Sequence, residues 1–149
     1  DTFVGLHVAL ITMAGIISTP IMGNVSDRVG RRPVIAFAMT AMTILIFLFL
    51  TFDSGWGMTA LIAVLGLFFF SVMPIINAAA MDMIDKGSEG SGTALMFTGG
   101  AVIGSLTPIA AGFINQSNGF EGVVIFAGII AAAGAILSLV LPMKSQANT

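Results

Sequence analysis

The chain has no cysteine among its 149 residues. Disulfides and thiolate metal sites are therefore excluded. Charge is almost as scarce. Asp, Glu, Lys and Arg together make up 8% of the sequence, against about 25% in an ordinary soluble domain. A soluble protein of this size needs far more polar surface to cover its core. No basic patch carries interleaved aromatics, so nucleic acid is not an expected partner. No signal peptide opens the chain and no Met starts it, so the reading is that it begins within a longer protein.

Apolar residues fill the space that charge leaves. They make up 57% of the sequence, and the mean hydropathy is +1.07. The lipid bilayer is therefore the expected solvent for most side chains. A spanning helix needs about 20 mostly apolar residues. Five stretches meet that length: Val4 to Met22, Val34 to Phe52, Met58 to Ala80, Thr93 to Ile114 and Val123 to Leu141. No charged residue falls inside any of them. Backbone polar groups cannot go unsatisfied in lipid, so these runs predict helices. The expected fold is an all-α membrane bundle of five transmembrane helices, one unit over residues 1–149. The breaks are Gly23 to Pro33, Asp53 to Gly57, Asp82 to Gly92 and Asn115 to Gly122, and Gly, Asn, Asp and Ser dominate them.

The five bases set the expected orientation. Arg28, Arg31 and Arg32 lie in the first break, Lys86 in the third and Lys144 in the tail. The second and fourth breaks have none. The positive-inside rule puts the bases and the C-terminus in the cytoplasm, which predicts an integral protein of a bacterial inner membrane.

The first break reads Gly23-Asn24-Val25-Ser26-Asp27-Arg28-Val29-Gly30-Arg31-Arg32-Pro33. Asp27 is an acid among bases, able to pair with Arg28, Arg31 or Arg32 or to meet the positive end of a helix. Gly23 and Gly30 permit tight turns, and Pro33 suits a first helical turn. The segment resembles the loop signature of the major facilitator superfamily, G-x-L-x-D-R-x-G-R-[KR], with Val25 in place of the usual Leu. The family repeats this loop in each half, after its second and eighth helices. Four spans and a short tail follow it here, so the resemblance implies helices eight to twelve, most of a C-terminal half. The missing N-terminal half is then a partner. The resemblance also implies that Gly23, Asp27, Arg28, Gly30, Arg31 and Arg32 form a conformational latch between halves. The alternative is that the arginines only set topology and bind lipid headgroups.

Three further sets of residues are candidates. Gly100, Gly104, Pro108 and Gly112 form a small-residue stripe with a helix-kinking proline. It resembles the family's helix at the interface of halves, and it equally suits packing within the bundle. Phe70, Pro74 and Asn77 share one face of the third span. The resemblance makes that span the tenth helix, which lines the substrate cavity, while Asn77 alone suits helix–helix hydrogen bonding. His7, the sole histidine, sits one turn into the first span. Its titration range suits proton coupling, and its place near the outer interface suits a polar tip reaching water.

No G-x-S-x-G, H-E-x-x-H or paired intramembrane carboxylate occurs, so no catalytic residue, metal site or cofactor is assigned. The second span holds only threonines as polar groups and the fifth only Ser138, which suits lipid-facing positions. The leading function is secondary transport of a small solute by alternating access. The competing reading is a non-transporting assembly or anchoring subunit, which has no need of a latch.

Overall fold

A computed structural model describes residues 2–52 and 55–140, with continuous side-chain detail from Thr12 onward. Its backbone is helical nearly throughout, and no strand occurs among the described residues. The elements are α1 (Thr2–Val29), α2 (Arg31–Leu48), a short 3-10 turn (Phe49–Thr51), α3 (Trp56–Met81) and α4 (Glu89–Val140). Segments 31–51, 56–81 and 89–140 are long and apolar enough to cross a bilayer. Only 28% of the most apolar stretch of each is buried within the protein. Apolar side chains that find no protein partner in such numbers need lipid around them. The chain is an integral membrane protein.

Two expected breaks have different backbones from those the composition suggested. The first shrinks to a single residue. α1 continues helical through Gly23 to Val29, and α2 starts at Arg31. Only Gly30, at φ 105° and ψ 151°, turns the chain, and its N–H donates to the Ser26 carbonyl at 3.0 Å. A residue with a Cβ is strained at that φ. The fourth break shrinks likewise: the helix runs through Asn115 to Gly122 apart from Gly119, at φ 67° and ψ −167°. At 1.5 Å per residue the 52 residues of α4 would extend about 78 Å if straight. That is more than twice the roughly 30 Å of a hydrocarbon core. The bend at Gly119 is sharp enough that a Cβ on Gly122 would lie 2.9 Å from the Ile114 side chain.

The core lies where α2 meets α3 and α4. Val34 and Ile35 of α2 pack with Ile75 and Ala79 of α3. One or two turns on, Ala38 and Met42 meet Val72. The opposite flank of α2 receives the second part of α4, whose buried residues are Val124, Gly128, Ala131, Ala135 and Ser138. Four of those five are small, and they recur every three or four residues on one face. A Cβ on Gly128 would stand 2.7 Å from the Phe47 ring, and Gly134 is backed by Met39. α2 is thus central among the described residues, although Phe37, Ile44 and Phe47 remain partly exposed. Thr40 and Thr43 donate to Ala36 and Met39 carbonyls of their own helix, both at 2.8 Å. They need no polar neighbour and can sit in an apolar setting.

Candidate functional site

The arginine-bearing end of the bundle joins three helices through one side chain. Arg31, the first residue of α2, is mostly buried, with 16% of its side chain exposed. Its Nε donates to Asp82 Oδ2 at 3.1 Å, and its Nη1 donates to Asp27 Oδ1. Asp27 lies in the last turns of α1, and Asp82 caps the C-terminus of α3. The local fold explains the convergence. The single-residue turn at Gly30 brings Arg31 back one helical turn from Asp27, an i, i+4 spacing that lets the pair meet. Asp27 is 62% exposed and Asp82 only 24%. Solvent therefore screens the first pair more than the second.

Asp27 meets Arg31 among the three arginines open to it. Asp82 carries no signature and lies 51 residues from its partner. It is the residue the sequence reading missed. Its signal was its place as an acid opening the other base-bearing connection. Arg28 and Arg32 are exposed and form no ion pair among the described residues. Arg28 lines a shallow cavity of about 300 Å³ with Ile21, Asn24 and Val25 on the open flank of α1. Gly23 faces open space. Ser26 is buried, 1% exposed, and its hydroxyl has no partner among the described residues.

Farther along the same helices, α1 and α3 are pinned by serines. Ser18 Oγ lies 2.6 Å from Ser71 Oγ and donates to the Leu67 carbonyl at 2.7 Å. Ser71 Oγ reaches the same carbonyl at 2.6 Å. Both serines are buried. The approach is close because Gly15 has no side chain: a Cβ there would lie 2.5 Å from Phe70 Cβ. Each helix also carries a proline near this contact, Pro20 and Pro74.

The candidate cavity residues separate around this contact. Phe70 packs on Gly15 and edge-on to Phe69, with ring centroids 5.4 Å apart. Phe70 and Pro74 are exposed and Asn77 is half-buried, whereas Ser71, Val72, Ile75 and Ala79 face inward. They therefore lie on the more open side of α3, and Asn77 makes no hydrogen bond among the described residues. The small-residue stripe of α4 is more isolated. Every residue from 97 to 109 is exposed, and a Cβ on Gly100, Gly104 or Gly112 would meet nothing within 4 Å. Pro108 is exposed with them. The His7 side chain lies outside the described residues.

Comparison with known proteins agrees with this architecture. The family pattern described as Major Facilitator Superfamily matches residues 1–148. Two curated relatives are each called "Multi-drug resistance efflux pump PmrA", from two strains of Streptococcus pneumoniae. Each is 28% identical over 138 residues, which covers 92% of this chain and 34% of the relative. The chain thus spans about a third of the length of the curated relatives it matches. No solved structure matches it. With helices nearly throughout its described residues and a family match along nearly its whole length, this chain belongs to the major facilitator superfamily.

Proposed function

We propose that this chain forms helices eight to twelve of a secondary transporter that moves a small solute by alternating access. In this reading α4 crosses the membrane twice, before and after Gly119, and the chain crosses five times in all. The observation that carries the proposal is the Arg31 bridge. One guanidinium holds the ends of α1 and α3 to the start of α2 through Asp27 and Asp82. Its outer pair, to the mostly exposed Asp27, is modest in energy, about 0–1 kcal/mol. That suits a contact that must form and break between two states of similar free energy. A scaffold or enzyme gains nothing from such balance.

The open stripe at Gly100, Gly104, Pro108 and Gly112 supports the same reading. Small residues gain little from lipid and much from a packed helix, and we assign the stripe to the missing N-terminal half. Residues Phe70, Pro74 and Asn77 on the open side of α3 are assigned to the solute path. The Phe and Met residues of α3 suit amphipathic solutes, and the relatives' name as multi-drug efflux pumps supports drugs among them. The arginine-bearing end is assigned to the cytoplasm of a bacterial inner membrane, with the C-terminus inside. His7 is kept as a proton-coupling candidate.

The test is transport by the complete protein carrying Arg31→Ala. Insertion should be retained and uptake or efflux should fall several-fold. Unchanged transport at normal expression would remove Arg31 from the mechanism. Orientation is checked separately with single cysteines, since the native chain has none. Cys at Asp53 should label from outside with an impermeant reagent and Cys at Lys86 should not; the reverse pattern overturns the assignment.

A further inference from the structure

The end of the bundle opposite the arginines carries a cavity that the latch does not explain. It has a volume of about 310 Å³ and is lined by Phe49, Leu50, Phe52, Met58, Phe120 and Glu121. That is the lower end of the size of small-molecule sites and about ten times a water's share of liquid volume. Three elements build it. α2 tightens into the 3-10 turn Phe49–Thr51, which delivers Phe49 and Leu50. Phe52 follows in extended conformation, φ −115° and ψ 115°, and its ring lies over Gly57, where a Cβ would stand 2.8 Å from the ring. The non-helical Gly119 then sets Phe120 and Glu121 at the bend of α4.

The chemistry of the lining is selective. Glu121 is its only charged group, and among the described residues it forms no ion pair or hydrogen bond. Among the described residues no Lys or Arg pairs with it. The two connections at this end hold Asp53 and Glu121 and no Lys or Arg. Arg31 opens α2 and the cavity begins at its far end, 18 residues later, a distance of about 27 Å. That is more than three Debye lengths of about 8 Å at physiological salt. A lining that combines three phenylalanines with one carboxylate favours a cation whose charge is spread over carbon-bearing groups. Aromatic rings attract such ammonium ions through the ring quadrupole, and the carboxylate supplies the counter-charge. A small, strongly hydrated metal ion would want several oxygens, and the lining offers one carboxylate.

We propose that this cavity binds an organic ammonium cation, held by Glu121 and the rings of Phe49, Phe52 and Phe120. Two sources share that chemistry: the headgroup of a choline or ethanolamine lipid, and a free quaternary ammonium compound. The site stands on its own residues and does not depend on whether the chain transports.

The experiment is equilibrium binding of radiolabelled tetraethylammonium to the full chain in lipid nanodiscs. Saturable binding is expected, displaced by choline but not by its uncharged analogue 3,3-dimethylbutan-1-ol. Glu121→Gln and Phe52→Leu should each weaken it about tenfold, and Glu121→Asp less. Glu121 is exposed, so its variants test the site without threatening the fold. Weaker apparent affinity in phosphatidylcholine than in a neutral glycolipid identifies the lipid headgroup as a ligand. Equal affinity in both restricts the site to free cations. Absence of saturable binding overturns the proposal, as does wild-type affinity in both Glu121→Gln and Phe52→Leu.

Discussion

The α1–α3 pair and the first part of α4 are built from the same kinds of residue and end in opposite states. Both are rich in Gly and Ser and both carry proline. In the first, Gly15 lets Phe70 lie against the backbone and two buried serines close across the gap. In the second, Gly100 and Gly104 look into open space, and Ser105 turns inward to its own helix, donating to the Val102 carbonyl at 2.9 Å. Small residues are permissive. They allow close packing where a partner helix is present and contribute nothing where it is not. The difference lies in the partner, and the open stripe is where the proposed N-terminal half would pack.

The sharpest way to break this comparison is to fill both sites alike. Gly15→Leu forces side-chain atoms into Phe70 and should cost about 1–3 kcal/mol or more, as overpacking does. Gly104→Leu should leave the unfolding of this chain unchanged in detergent or bicelles. Equal destabilisation by the two would erase the distinction. The next effect is at the charged end. Arg31→Ala leaves the half-buried Asp82 without its partner and should cost about 1–2 kcal/mol. Asp27→Ala, at a mostly exposed carboxylate, should cost about 0–1 kcal/mol. Steric-trap or thermal unfolding of the reconstituted variants orders the two, and a larger loss in Asp27→Ala would reverse the assignment of which pair dominates.

Much of this was legible in the sequence, for physical reasons that differ from place to place. The apolar runs announced helices because lipid leaves the backbone no alternative. Asp27 and Arg31 were legible because an i, i+4 pair is local. Asp82 was not, because its partner is far away in sequence and only the packing of α1 and α3 on α2 brings them together. The single-residue turns at Gly30 and Gly119 were also hidden. Composition marks a break by its Gly, Asn and Ser content, but those residues stay helical when flanking turns hold them. The packing of α2 against α3 and α4 was not legible from its low polarity, since a helix among apolar neighbours and one in lipid bury the same side chains.

Two smaller effects refine the contrast. Ser18→Ala and Ser71→Ala each remove part of one shared network. Membrane hydrogen bonds of this kind average about 0.6 kcal/mol, and a double-mutant cycle should return a coupling of that order. Additive losses would mean that the serines do not act together. Ser26→Ala should be the mildest change. Its hydroxyl is buried and has no partner among the described residues, so removing it should stay within about 0.5 kcal/mol of the parent or stabilise slightly. A loss beyond 1 kcal/mol, the scale of one hydrogen bond, would show that Ser26 holds a partner.

The most direct measurement is solute uptake into liposomes that hold this chain alone, compared with liposomes that hold it together with the proposed N-terminal half. The two halves of such transporters rock around a site between them, and the stripe at Gly100 and Gly104 has no neighbour among the described residues. Saturable uptake should therefore appear only when both parts are present. Saturable uptake by this chain alone would contradict the account and identify a small self-sufficient carrier in its place.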